Sequence, residues 1–189
     1  MAWPTSLQVA LKEWNTVCRA LETGRQMLLL RKGGISESAG EFEVEHREFL
    51  CFPTFLHQNL NMLKPTDQAD YTPHNEEPSE VAISAAGVVT DILQLKSREQ
   101  MNKIDDEHIW TAPLLDMRFN YRPENPLYLL LIRAYRLHAP VTIANTPAYA
   151  GCKSWAPLAL PIEIGDALPV MDDVKFEMRK KSILERVGG

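Results

Sequence analysis

Cysteine is scarce in this sequence: Cys18, Cys51 and Cys152 are far apart and odd in number. That excludes a disulfide-stapled fold. Cys18 falls on an apolar stripe and Cys51 in an apolar run, which predicts buried free thiols and a reducing, cytoplasmic setting. Long hydrophobic runs are missing too. The longest, Leu127–Ile132, is far short of the roughly 20 residues that a membrane helix needs. The chain does not open with a basic stretch followed by an apolar one, so neither a signal peptide nor a membrane partner is expected. Positive charge is in deficit, with 20 Lys and Arg against 25 Asp and Glu and a net charge of -5. Bulk attraction to nucleic acid is thereby excluded, and such a role requires a local basic patch. Repeats and heptads are absent. Against these absences stand 45% hydrophobic residues over 189 positions, enough for a packed core and too many for a disordered chain.

Leu7, Ala10, Leu11, Trp14, Val17, Cys18 and Leu21 recur at three- and four-residue intervals, which predicts an amphipathic helix. Thr5 with Gln8 forms its capping box and Gly24 its stop. A strand from Gln26 to Arg31 follows, apolar on both faces, with Gly33-Gly34 as a turn. Phe42 and Val44 alternate with Glu41, Glu43 and Glu45. Phe49 to Phe52 continues that strand, and Pro53 ends its ladder. Residues 64–80 hold Pro65, Pro73 and Pro78 with Asp67, Asp70, Glu76, Glu77 and Glu80. They read as a long exposed acidic loop on which a protein partner could dock.

Ile83 to Leu95 reads as a strand with a bulge or close approach at Gly87. Ser97 with Gln100 opens a short helix bearing Met101 and Ile104. Strands are expected around 109–111 and 116–121. The strongest, Leu127 to Leu137, belongs centrally in the sheet and runs on to Ile143. Irregular structure punctuated by Pro147, Pro157, Pro161 and Pro169 follows. Asp172 caps a last helix to about Val187, packed through Phe176, Met178, Ile183 and Leu184, with Arg179-Lys180-Lys181 exposed. The class is α+β, with a mixed, mostly antiparallel sheet packed by an N-terminal and a C-terminal helix. Residues 1–170 form a single domain and 171–189 a C-terminal helix or tail.

Two groups of residues carry candidate chemistry. If Val44 faces the core, alternation puts His46 and Glu48 on the same face, near His57 in sequence. His46, Glu48 and His57 could hold a metal, and with Glu45 and His108 they would suit a metal-dependent phosphodiesterase. The alternative is a histidine fixed by hydrogen bonds at a strand end. The spacing matches no defined ligand pattern, and no cofactor is expected. The second group is cationic. Arg25, Arg31 and Lys32 flank one strand, while Arg118, Arg122, Arg133 and Arg136 lie on or beside two others. A buried guanidinium at Arg133 needs a carboxylate or phosphate opposite, and Asp91 or Glu48 is its internal candidate.

Three other motifs are discounted. Arg31-Lys32-Gly33-Gly34 lacks the spacing of a phosphate-binding loop. Gly151-Cys152-Lys153-Ser154-Trp155 echoes a thiol-protease nucleophile, but no histidine follows it. His57 and Asp67 have no partnered serine in an elbow.

The order of several motifs resembles a bacterial family, frequent in cyanobacteria, catalogued as domain of unknown function 1802. The matching pieces include Ala10-Leu11-Lys12-Glu13-Trp14, Leu28 to Ile35, Glu45-His46-Arg47-Glu48-Phe49, Phe52-Pro53-Thr54, His57-Gln58, His108-Ile109-Trp110-Thr111 and Tyr149 to Trp155. A helix, then Gly24, then a strand ending in Arg31 also resembles the opening of ASCH domains, relatives of the PUA fold. Gly24 and Arg31 match their Gly-Lys-Glu-Arg motif, whereas Gln26 and Leu29 stand in place of its Lys and Glu. That resemblance implies a small PUA-like β-barrel with a helix over its mouth, a design used for RNA or nucleotide binding. The expected site is then an anion and nucleic-acid surface of Arg25, Arg31, Lys32, Arg118, Arg133 and Arg136, with His46 or Trp110 contacting a base. The oligomeric state stays open.

Overall fold

The computed structural model describes residues 3–32, 44–151 and 153–188. Its elements run β1 (Ser6–Trp14), α1 (Asn15–Glu22), β2 (Leu28–Lys32), β3 (Glu48–Thr54), β4 (Glu80–Leu95), α2 (Arg98–Asn102), α3 (Ala112–Asn120), β5 (Leu127–Ala144), β6 (Trp155–Glu163), β7 (Leu168–Pro169) and α4 (Asp173–Gly188). The strand order is β2-β5-β4-β3-β1-β6, with β7 pairing β5. Every pairing is antiparallel except β1 with β3. Because β6 lies at one end of this order and β7 returns to β5, the sheet curls on itself. The α+β class and the mostly antiparallel sheet agree with the sequence expectation.

The largest departure is at the N-terminus. Leu7, Val9 and Leu11 also obey the two-residue period of a strand, and that period wins as far as Trp14. The reason is tertiary. β1 is laddered on both edges, Ala10 opposite Leu50 of β3 and opposite Ala156 of β6. Ala10 and Leu11 are both buried although they face opposite sides. Two ladders and two covered faces outweigh a local helical spacing. The Thr5–Gln8 capping box therefore does not form; α1 starts after Trp14 without a side-chain cap. Gly24 does end the turn that follows, at φ 73°.

Proline misled the reading in two places. β3 continues through Pro53 to Thr54, Pro53 lying opposite Glu13 in the parallel ladder. β6 holds Pro157 and Pro161 within a strand, which an outermost strand tolerates because outward-facing positions need no N–H. Residues 116–121, expected as a strand, belong to α3, with Pro113 in its first turn. At 109–111 only a single bridge forms, Leu63 to Trp110. Phe42, Glu41, Glu43, the Gly33-Gly34 turn and Cys152 lie outside the described residues.

Other expectations hold. β5 sits between β2 and β4 and is the longest strand. A Cβ on Gly87 would lie 2.8 Å from Ile132 and 2.9 Å from Phe49, so this glycine marks a close approach. Gln100 accepts from the Ser97 amide at 3.1 Å, and Asp172 accepts from the Lys175 amide at 2.8 Å. Residues 64–80 are largely exposed, yet tied down: Asp67 grips Arg25, and Glu77 accepts from the amides of Phe55 and Leu56 at 3.0–3.1 Å.

Two apolar clusters flank the sheet. One joins Leu21, Phe49, Trp110 and Leu131 to Phe176, Ile183 and Val187 of α4. The other gathers Leu50, Phe52, Ile83, Leu158 and Ile162. Trp3 stacks on Tyr135 beside the second, with 3.8 Å between ring centroids. Cys18 and Cys51 are buried free thiols. A hydrogen bond with Cys51, and then burial, push the Cys18 thiol well above its usual value. Met178 is 68% exposed rather than packed, and Arg179 is not an exposed cation. Arg179 donates to Glu107 at 2.5 Å and to the carbonyls of Gly24 and Arg25. Among the described residues no helix is long and apolar enough to cross a membrane.

Candidate anion-binding site

Arg31 is the last but one residue of β2, an outermost strand whose inner face is filled by leucines. Across the mouth of the curled sheet lies the C-terminal end of β1. The Arg31 guanidinium bridges the gap: Nη2 lies 2.5 Å from Glu13 Oε1 and donates to the Lys12 carbonyl at 3.3 Å. Both side chains of this pair are about nine-tenths buried. A second guanidinium, Arg118 in the last turn of α3, lies close to the same carboxylate. Glu13, Trp14, Leu30, Trp110, Leu114 and Arg118 enclose a cavity of about 10 Å³, room for one water or one oxygen atom.

The charges at this seam do not cancel. Among the described residues, one carboxylate, paired with Arg31 and near Arg118, stands against two guanidiniums in a partly desolvated place. Burial lowers the Arg118 pKa; Glu13 opposes it, and the Arg31 charge adds a smaller lowering. Hydrogen bonding is incomplete as well. Nε of Arg31 and Nε of Arg118 are buried and have no partner among the described residues. Trp155 extends the patch. It lies opposite Leu11 in the β1–β6 ladder, on the face that Glu13 shares two residues on, and its Nε1 is a third unpartnered buried donor. His46, half-exposed, meets Trp155 edge-on at 5.1 Å. Lys32, beside Arg31, donates to the Phe119 carbonyl at 2.9 Å. An anionic group carrying several acceptor oxygens is the complement to such a set.

The structure thus brings Arg31, Arg118 and Trp110 together beside Glu13, sets Lys32 on the other face of β2 and His46 against Trp155, and separates the other expected cations. Arg25 is held on Asp67 at 2.7 and 3.1 Å and on the carbonyls of Asp106 and His108. Arg133 pairs with Asp173 at 2.5 Å and lies over the Phe176 ring at 4.6 Å. Neither Asp91 nor Glu48 is its partner, and Asp91 instead faces Lys180 at 3.3 Å. Arg136 is exposed on β5 beside Leu168. Arg122, at φ 45°, packs on Tyr121 at 5.3 Å.

The histidine group does not assemble. His46 precedes β3 and His57 follows it, so about 20 Å of extended strand separates them. Besides Trp155, His46 approaches Glu45, at 3.6 Å. Glu48 begins the β3 ladder opposite Val88, and His57 stands at φ 65° beyond the strand. His108 is fully buried, and its Nδ1 accepts from the Trp110 amide at 3.2 Å. Burial first, then the nearby Lys64 charge, lower its pKa to about 4, while Asp105 opposes them. Among the described residues no three His, Cys, Asp or Glu side chains converge to hold a metal ion.

Sequence reasoning missed Glu13, Trp14 and Trp155. Glu13 is the first acidic residue of the chain, two positions beyond Leu11 on the same strand face. That signal becomes readable only once residues 6–14 are taken as a strand. Gln26 was missed too: fully buried, it donates to the Leu28 carbonyl at 2.7 Å and accepts from the Ile109 amide at 3.0 Å.

The family model described as "Domain of unknown function (DUF1802)" matches residues 10–182. Curated proteins give no match. Among solved structures, the ASCH protein from Zymomonas mobilis is similar at 9% identity, covering 92% of this chain and 93% of that one, with a TM-score of 0.45. A serine-to-alanine variant of the same protein is similar at 11% identity over 96% and 99% of the two chains, also with a TM-score of 0.45. No role is carried over from these likenesses.

Proposed function

The chain belongs to the DUF1802 family, and we propose that it binds single-stranded RNA or a nucleotide, a phosphate resting against Arg31 and Arg118 and bases meeting the neighbouring aromatic side chains. One observation carries this reading: Glu13 pairs with Arg31 and lies near Arg118, and both guanidiniums keep buried Nε donors unpartnered among the described residues. A folded protein seldom leaves such donors unmet, because each costs about 1–3 kcal/mol. A phosphate oxygen satisfies them and neutralises the excess charge. The cavity admits only one oxygen, so the ligand lies outside it and presents a single oxygen inward. Indole and imidazole rings beside an anion point are the surfaces on which unpaired bases stack. Buried free thiols at Cys18 and Cys51 support a reducing compartment for this activity. No observation favours the metal-dependent phosphodiesterase, since its histidines stand at opposite ends of β3.

Fluorescence anisotropy with labelled single-stranded RNA and DNA hexanucleotides tests the proposal. The expected result is salt-sensitive binding whose logarithm falls against log salt with a slope of about -1.4 to -2.1, as for two or three phosphate contacts on a single strand. Binding should also quench the tryptophan emission. Absence of binding at low salt, or binding that ignores salt, overturns the reading.

A further inference from the structure

Back to back with the seam, the same two elements open a second and larger space. Lys32 follows Arg31 on β2, and Phe119 follows Arg118 on α3. Together with Gln94, Lys96, Glu124 and Asn125 they line an open groove of about 430 Å³. The end of β4, the end of β2 and the turn after α3 build its walls. That turn closes with the Asn125 amide donating to the Arg122 carbonyl at 2.9 Å. Arg122 holds left-handed backbone at φ 45°, a conformation that non-glycine residues adopt only where the surroundings enforce it. It is held there with its guanidinium over the ring of Tyr121, which is 54% exposed.

The lining differs from that of a core defect. Gln94 and Lys96 are exposed, and Asn125 is half-exposed. The two carboxamides each offer donors and an acceptor, the pattern that matches the hydrogen-bonding edge of a base. Lys32 and Lys96 set two positive charges against the single carboxylate of Glu124, in a protein whose net charge is negative. The volume falls within the range of small-molecule sites, which is the scale of one nucleotide.

We infer that this groove receives a further nucleotide of the strand whose phosphate meets Arg31 and Arg118, so that the ligand is a single strand long enough to reach both faces of β2. The inference rests on the function proposed above. Bridging two subsites makes the second contact intramolecular, so affinity rises with strand length until both are filled.

Binding of adenosine 5′-monophosphate, a dinucleotide and a hexanucleotide of single-stranded RNA is compared for the wild-type chain, Lys96→Glu and Asn125→Ala, by competition against the labelled hexanucleotide. Both substitutions fall on side chains at the rim, so the fold is retained; circular dichroism checks this. The expected result is that the hexanucleotide binds at least tenfold tighter than the mononucleotide in the wild type. Lys96→Glu and Asn125→Ala should cut that gain at least threefold while leaving mononucleotide binding unchanged. Equal affinity for mononucleotide and hexanucleotide, or a length gain that survives both substitutions, overturns the inference but leaves the seam as a binding site. Failure of every probe to bind overturns the underlying function and the inference with it.

Discussion

Two clusters in this molecule use the same side chains to opposite ends. At the clasp of α4, Glu107 takes Arg179 at 2.5 Å and Arg186 at 2.7 Å, while Arg186 also reaches Asp106 at 2.6 Å. Two guanidiniums meet two carboxylates there, and Arg179 adds two backbone carbonyls. At the seam, Glu13 is the one carboxylate beside Arg31 and Arg118 among the described residues, and Arg31 adds the Lys12 carbonyl. The titration directions record the contrast. Although burial opposes it, the Asp106 and Glu107 carboxylates raise the Arg186 pKa, whereas at Arg118 burial prevails over Glu13 and lowers the pKa, with a smaller contribution from Arg31. A balanced cluster serves the fold, and an unbalanced one keeps charge in hand for something that arrives from outside.

The comparison breaks most visibly at Glu107. Glu107→Ala leaves two part-buried guanidiniums without their shared carboxylate and should cost about 3–5 kcal/mol in urea unfolding. A loss below about 1 kcal/mol would show that the clasp does not hold α4 in place. Next comes Glu13→Gln at the seam. It removes the one counter-charge there among the described residues, so stability should fall by about 3 kcal/mol while affinity for inorganic phosphate rises. Added phosphate should then restore much of the lost thermal stability. Unchanged phosphate affinity argues against an anion point.

A third test lies between the two clusters. The His108 pKa is about 4 in the folded chain against 6.5 for the free side chain. The unfolded state therefore binds more protons between those pH values, so stability rises with pH through that window and is fully present above about 6.5. The total effect is about 3 kcal/mol at most. His108→Asn should flatten the stability–pH curve between pH 4 and 6.5 relative to the wild type; an unaltered slope contradicts the buried neutral imidazole. The smallest effect belongs to the exposed Lys181–Glu185 pair, 3.8 Å apart. Lys181→Ala should change stability by less than about 0.5 kcal/mol, the control that separates surface pairs from both clusters.

Much of the fold was legible in the sequence because its signals are local. Capping residues at Ser97–Gln100 and Asp172, the apolar run from Leu127, and the Gly24 stop each act within a few residues. β1 was not legible, because its ladders come from residues about 40 and 150 positions away, Leu50 and Ala156. α3 was missed for a similar reason: its buried side is only Leu114 and Leu115, too little to set a helical period. The site was readable in part. Arg31, Lys32, Arg118 and Trp110 follow from residue type and from position near element ends. Arg25 and Arg133 could not be separated from them, because Asp67 and Asp173, 42 and 40 residues away, cancel their charge. Glu13 stayed hidden for as long as its strand was read as helix.

The paired substitutions Arg118→Gln and Arg186→Gln, each followed by urea unfolding and by hexanucleotide anisotropy, test the account most directly. It predicts that Arg118→Gln lowers affinity at least tenfold and leaves the unfolding midpoint unchanged or higher. Arg186→Gln should lower the midpoint and leave affinity intact. If Arg118→Gln instead destabilises the chain as much as Arg186→Gln does and binding persists, the seam is structural and the contrast between the two clusters does not stand.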